Sequence, residues 1–490
     1  CDFKPSLQEV KDLVTEKKGN TIPIYCRIPA DLLTPVGAYL RITEQSKFSF
    51  IFESVTGGER IGRYSFVGAD PYKVLKVEDN EGDPLNFIEE ELKSINYIPV
   101  PVLPLFTGGA VGYIAYDCIK YFEPRTAREL DDHLGLPDSV FLFVDTLIIF
   151  DHLYQVINVV SHYRNDIADL ESADYQYQKA TDKIKHVLNL LKKEVTPNIS
   201  QKEIILNQTS VSNVGKDGYK EFVTTLKDHI KKGDIIQAVP SQRFKRPTTI
   251  HPFNAYRHLR TLNPSPYLFY IDLNDYQIVG ASPELLVKVE DDIVYTHPIA
   301  GTRKRGKTKE EDEMLANELL NDPKERSEHI MLVDLGRNDV NRICQPQTVK
   351  VDSLMHIERY SHVMHIVSQV SGKLRPDKTR FDAFRSIFPA GTVTGAPKVR
   401  AMELISELER EKRGIYAGAV GHFDFSNSVD TCIAIRTMVF KDGFVYLQAG
   451  GGIVYDSNED NEYQETIDKL QSSVTCIDNA EEYFSKLQQA

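Results

Sequence analysis

No tryptophan occurs in the 490 residues, so the chain has no indole of its own and any indole emission in its presence arises from something added. Cysteine is scarce: Cys1, Cys26, Cys118, Cys344, Cys432 and Cys476 are widely scattered with no CxxC pair. That spacing disfavours a zinc ribbon or a disulfide framework, and the six are expected to be reduced core residues. Long hydrophobic runs are absent as well. The longest, from Ser139 to Phe150, is broken by Asp145 and falls short of the roughly 20 residues of a membrane helix. Basic residues are outnumbered, 58 Lys and Arg against 71 Asp and Glu, for a net charge of -13. Such a balance argues against nucleic acid or an anionic membrane as the main partner, and an anionic substrate would need a local positive patch or a metal. The chain starts at Cys1 with neither Met nor a signal-peptide apolar stretch, which is expected of a trimmed cytoplasmic protein. Repeats with a period of roughly 20 to 50 residues are also missing.

What is present is ordinary globular composition, 41% hydrophobic and 26% charged, in a chain long enough for two or three domains. From Thr21 to Phe150, short β-rich runs (Ser49 to Glu53, Arg63 to Val67, Val140 to Asp145) alternate with Gly and Pro, as antiparallel sheet does. A helix is expected from about 168 to 194. Residues 196–218, rich in Pro, Asn, Gln and Ser, read as a linker between an N-terminal domain, 20–195, and a second domain, 219–475. The second opens with a helix from Tyr219 to Lys232 closed by Gly233, then a strand from Asp234 to Phe244, a helix from Pro252 to Leu262, and strands near Leu268 and Ile278. The fold class expected is α/β of the α+β type, antiparallel sheets packed with helices.

The densest cluster of ionisable groups is Glu325-Arg-Ser-Glu328-His329-Ile-Met-Leu-Val-Asp334-Leu-Gly-Arg337-Asn338-Asp339. If residues 322–335 are helical, Glu325 and Glu328 share one face while Ile330, Leu332 and Val333 anchor it. Glu462 and Glu465 repeat the spacing near the C-terminus. Two such pairs can hold a hard divalent cation, Mg²⁺ first among them, although either pair alone reads equally as a solvated helix face.

A rival stands in Gly301-Thr-Arg-Lys-Arg-Gly306-Lys307-Thr308, which matches the P-loop pattern literally, with Ile330 to Asp334 as a Walker B strand. Against an NTPase, Glu310, Glu311, Asp312 and Glu313 follow where a triphosphate would lie. Like charges about 4 Å apart cost about 4 kcal/mol near a surface.

Five further stretches, taken in order, carry a resemblance: Pro298 to Thr302, Glu328 to Asp339, Ser361 to His365, Ala390 to Lys398 and Gln448 to Val454. Together they resemble the large subunit of anthranilate synthase, of fungal type, within the chorismate-utilising enzymes, over roughly residues 20 to 475. The resemblance implies a two-domain architecture, chorismate as substrate, ammonia as nucleophile, Mg²⁺ as cofactor, and anthranilate and pyruvate as products. It also implies a separate glutamine amidotransferase subunit and feedback inhibition by tryptophan. No cysteine here has a nucleophile elbow's glycines, in keeping with a glutaminase on another chain. Aminodeoxychorismate synthases typically carry a nucleophilic Lys where this chain has Ala300, and isochorismate synthases a water-activating Lys where it has Gln237. Both alternatives are weakened by those departures.

On the same resemblance, Glu328 and Glu465 hold the metal, with Glu325 and Glu462 behind them. Gly450, Gly451 and Gly452 offer backbone N–H groups to a substrate carboxylate, backed by Arg436; read alone they are a glycine-rich turn. Thr392, Gly301, Thr302 and Tyr416 contact substrate, although Thr392 also reads as a simple cap. His365, rather than His362, is the general acid toward the departing ring hydroxyl, with Glu325 and Thr392 beside the chemistry. Glu53, Ser54, Pro266, Tyr267 and Leu268 form the inhibitor site.

Overall fold

Alternation along the strands sets the architecture. In Ser49–Glu53, Phe50 and Ile51 face opposite ways, and in Tyr267–Asp272, Phe269 and Ile271 alternate with Leu268 and Tyr270; both sets are buried. A sheet covered on both faces follows. The computed structural model describes residues 2–17, 19–56, 60–165, 172–360 and 363–489. Among these, an 11-stranded sheet and a 10-stranded sheet dominate, and every strand-to-strand pairing in them is antiparallel. Phe50, Phe269, Ile271 and Ile278 of the larger sheet share one apolar cluster with Tyr113, Phe141, Phe143 and Phe423 of the smaller. The sheets therefore pack face to face. Ile51, Leu268 and Tyr270 enter a second cluster with the helices Ala173–Leu191, Pro252–Leu262 and Glu459–Gln489 on the outer face.

The expected class is borne out, with the solved neighbours described below. The expected boundary at 196–218 marks a change of composition and not a division of the sheets. Ser49–Glu53 pairs with Tyr267–Asp272 in the larger sheet, and Gly109–Ile114 with Ala419–Asp424 in the smaller. Either half alone would expose a long unpaired apolar edge. The helix expected at 322–335 runs Pro323–Asn341, with Asp322 accepting from the N–H groups of Lys324 and Glu325. The strand expected from Asp234 to Phe244 is instead two, Gln237–Ala238 and Ser241–Pro247. Pro240 lies between them and has no N–H for a ladder. Cys118, Cys344, Cys432 and Cys476 are buried thiols as expected, but Cys26 is disulfide-bonded. No helix among the described residues is long and apolar enough to cross a membrane.

One buried ion pair staples the C-terminal helix to the larger sheet. Arg246, on the strand Ser241–Pro247, donates to Glu481 at 2.9 Å, to Asp478 at 2.6 Å and to the Gln208 carbonyl, while Thr248 donates to Glu481. Removing only the cation leaves a buried carboxylate unpaired, which typically costs about 3–5 kcal/mol. Arg246→Met is therefore expected to lose stability of that order in urea unfolding, whereas a loss below about 1 kcal/mol would mean that the pair is well solvated.

Candidate active site

The strand Ile299–Lys304 carries a bulge against its partner Val363–Lys373. Ala300 pairs with Ile366 and Arg303 with Met364, so Gly301 and Thr302 together oppose His365. Gly301 lies at φ +69, a conformation that favours glycine, and a side chain there would press on Glu325 and Leu319 at 3.0 Å. The bulge turns its own polar atoms inward. His365 Nδ1 lies 2.8 Å from the Gly301 carbonyl and 3.3 Å from Thr302 Oγ1. A carbonyl can only accept, so Nδ1 carries the hydrogen and Nε2 is the acceptor. Burial, with Arg436 nearby, holds the His365 pKa below its ordinary value. The ring is neutral near pH 7, and a neutral acceptor does not suit the expected general acid. His362, the other histidine considered, lies outside the described residues.

A buried acid that sequence reasoning missed is Glu284. It is 5% exposed, it accepts from Thr392 Oγ1 at 3.0 Å and from the Ile299 N–H, and desolvation raises its pKa to about 8. Near neutral pH it therefore keeps its proton. Its one trace in the sequence is a lone carboxylate after Pro283, at the mouth of the buried strand Leu285–Glu290. Thr392 sits in a short 3-10 turn, Gly391–Val393, well before the helix Lys398–Glu409. It is not a cap of that helix, whose N–H groups lie elsewhere.

The carboxylate pairs converge on the glycine turn less tightly than a four-carboxylate cage. Glu325 is drawn to Arg303 at 3.1 Å and Glu465 to Lys469 at 2.6 Å. Glu328 accepts from Gln237 Nε2 at 3.1 Å, and burial with Glu325 and Glu465 nearby raises its pKa. Glu462 is raised likewise by burial and by Glu465, and its Oε2 is buried without a partner. A Cβ on Gly451 would stand 3.4 Å from Glu462 Oε2 and 3.7 Å from Glu465, and one on Gly452 would stand 2.2 Å from Gln237 Nε2 and 3.7 Å from Glu328. A side chain at Gly452 would collide with the Gln237 amide, whereas one at Gly451 would meet ordinary contacts. Among the described residues no three His, Cys, Asp or Glu side chains form a metal cluster. Mg²⁺ characteristically takes one or two carboxylates and keeps water or substrate oxygens for the rest, so this donor set fits it.

Two of the three glycine amides are already engaged: Gly451 N–H donates to Tyr219 Oη at 3.2 Å, and Gly450 N–H meets Tyr416. Gly452 N–H has no partner among the described residues. Arg436 stands at φ 51 between two strands, a strained position for a side chain of its size. Its hydrogen bond among the described residues is to the Lys469 carbonyl, at 3.2 Å, and Glu465 is near enough to act on its charge. Gly301 to Thr308 forms strand and turn without a phosphate nest. Gly306 N–H is bound to Asp312 and Lys307 N–H to Glu311, and Ile330 to Asp334 is helical. The NTPase reading fails on those contacts.

Between the two sheets lies a cavity of ≈ 770 Å³ that gathers Glu53, Ser54, Pro266, Tyr267 and Leu268. Pairing of Leu268 with Glu53 brings the two segments together, although Glu53 is already bound by Arg260 and Tyr256. Ile299 and Tyr360 line the same cavity, and Tyr360 meets the His365 ring edge-on at 5.6 Å.

Comparison with known proteins agrees with this geometry. The family model described as chorismate binding enzyme matches residues 47–475. The chain is 57% identical over 98% of its length to probable anthranilate synthase component 1 of Schizosaccharomyces pombe, covering 98% of that protein. It is 52% identical over 99% of its length to anthranilate synthase component 1 of Saccharomyces cerevisiae, again covering 98% of the relative. The crystal structure of anthranilate synthase component I from Streptococcus pneumoniae superposes with a TM-score of 0.76 at 39% identity, over 91% of this chain and 98% of that one. A match of such length and identity, on a fold and a pocket of this kind, shows that the chain belongs to the chorismate-binding enzymes, among the anthranilate synthase component 1 proteins.

Proposed function

We propose that this chain, working in the cytoplasm, converts chorismate and ammonia into anthranilate and pyruvate, with the ammonia released from glutamine by a separate amidotransferase subunit. The observation that carries the mechanism is Glu284, a buried acid that keeps its proton near pH 7. Hydroxide leaves a ring slowly unless it is protonated. Glu284 supplies that proton, the ring hydroxyl departs as water, and the carbon–nitrogen bond forms with ammonia, which then sheds a proton. Loss of the enolpyruvyl group as pyruvate and of the ring proton leaves the aromatic product.

Gln237 is suited to receive ammonia. Its Nε2 is tied to Glu328, and its Oε1 is buried with no partner, an acceptor for an N–H and not for a cation's counter-charge. Arg436, Gly452 N–H and Tyr416 bind one substrate carboxylate. Glu328 and Glu465, with Glu325 and Glu462 behind them, would hold Mg²⁺, which supplies positive charge for the other carboxylate. Glu462 Oε2 is the orphan that such a cation, directly or through water, would satisfy. We assign His365 the acceptor's place, with Gly301 and Thr302 fixing its tautomer. The cavity at Ser54 is assigned to tryptophan as feedback inhibitor, since it offers an apolar pocket rimmed by carboxylates for an amine.

Four outcomes are expected. Activity needs Glu284 protonated, so kcat at saturating ammonia should be retained below its raised pKa and fall as pH rises through about 8. Glu284→Gln should lose about 10² to 10⁴ in kcat; a variant within tenfold of the parent would remove Glu284 from the chemistry. For the metal, Glu328→Gln should weaken Mg²⁺ binding in calorimetry by about tenfold or more, and unchanged affinity would refute that ligand. Titrated tryptophan should give a saturable indole emission shift against the chain's silent background, lost together with inhibition in Ser54→Arg. Normal inhibition in that variant would place the regulatory site elsewhere.

A further inference from the structure

Three segments with little regular structure of their own carry residues of the proposed substrate site: the turn at Thr392, the strand break from Gln237 to Ser241, and Tyr416. Each touches the same buried pair. Arg413 is 1% exposed and Glu409 7%, four residues apart across the end of the helix Lys398–Glu409. Arg413 Nη1 donates to the Val393 carbonyl at 2.8 Å, and Nη2 donates to the Val239 carbonyl at 2.7 Å and to Glu409 at 2.8 Å. Its Nε completes the fork onto Glu409 at 3.0 Å. Glu409 in turn accepts from the Ser241 N–H at 2.7 Å and from the Ser241 hydroxyl at 2.9 Å, and Gln448 of the glycine strand donates to that hydroxyl. The guanidinium also stands 5.5 Å from the centre of the Tyr416 ring. No other contact joins all three segments at one charge among the described residues.

We infer that Arg413 and Glu409 are positioning residues for chorismate turnover, fixing Thr392, Gln237 and Tyr416 relative to one another without touching the substrate. The inference rests on the roles proposed above for Gln237 and Tyr416 and for Glu284, to which Thr392 is bonded. A rigid planar fork suits the task, since five donors in fixed directions define both distance and orientation, which an ammonium on a flexible stem cannot. A buried Arg–Glu pair could equally be a mere staple. Arg246–Glu481 is the internal control, with both partners 1% exposed and no contact to any of the three segments.

Arg413→Lys and Arg246→Lys are to be compared with the parent, with ammonium as nitrogen source, below the unfolding temperature of both variants. Both are expected to lower Tm. Only Arg413→Lys should lower kcat/KM for chorismate, by about tenfold to a hundredfold, the scale of a misplacement near 1 Å. If it turns over chorismate within about twofold of the Arg246→Lys control, the pair is a staple and the inference is wrong. Should Arg413→Lys fail to fold, Ser241→Ala decides. It removes the hydroxyl's bonds to Glu409 and from Gln448 and leaves no charge unpaired, and it should raise KM for chorismate by about threefold to tenfold, with Tm little changed; an unchanged KM would overturn the inference. Thr392→Ala separates this from the reading beneath it. Normal kinetics there would overturn the pocket assignment and the inference with it, whereas an impaired Thr392→Ala beside unimpaired Arg413→Lys and Ser241→Ala would overturn the inference alone.

Discussion

Carboxyl groups held out of water are the constraint on which this structure turns. A carboxylate taken from water into an apolar interior either finds cations and donors or keeps its proton. The two face-to-face sheets provide such an interior, and the chain resolves it differently at each group. Glu409 and Glu481 meet buried arginines. Glu284 meets only the Thr392 hydroxyl and the Ile299 N–H, and stays protonated. Glu462 is left with an unpartnered oxygen and Glu328 with the Gln237 amide, on two helices that approach each other across the glycine turn. The same desolvation thus yields structural staples, a protonated acid and, on the function proposed, a place for a divalent cation.

Placement of these groups depends on how the chain is interleaved. Because both sheets draw strands from both halves, the residues near positions 53 and 267 proposed for the inhibitor meet across a strand pair, and the cavity they line includes Ile299 and Tyr360, neighbours of the proposed catalytic groups. Ile299 donates to Glu284 and Tyr360 packs on His365. A ligand in that cavity would touch the residues that support the proton donor and the acceptor. By reciprocity, whatever such a ligand does to substrate affinity, substrate does equally to the ligand.

Much of the fold was legible in the sequence. Helices with clear periodicity and caps, such as Pro252–Leu262 and the one after Asp322, lie where their patterns put them. The strand run from Asp234 was not, because a single Pro240 breaks a ladder that local β propensity alone would continue. The domain division was illegible for a related reason: composition reports solvent exposure along the chain and says nothing of which strand pairs with which. Within the site, the motif residues came together, but protonation did not follow from residue type. The Gly301 carbonyl that receives the Nδ1 hydrogen of His365, and the burial that raises the pKa of Glu284, are features of the fold that residue type does not display.

The central claim is that Glu284 carries a proton at neutral pH, and infrared difference spectroscopy between the parent and Glu284→Gln reads it directly. The account predicts a protonated-carboxyl band, absent from the variant, that titrates away with a midpoint at about 8. A carboxyl already ionised at neutral pH, titrating near the ordinary value of 4.5, would contradict it.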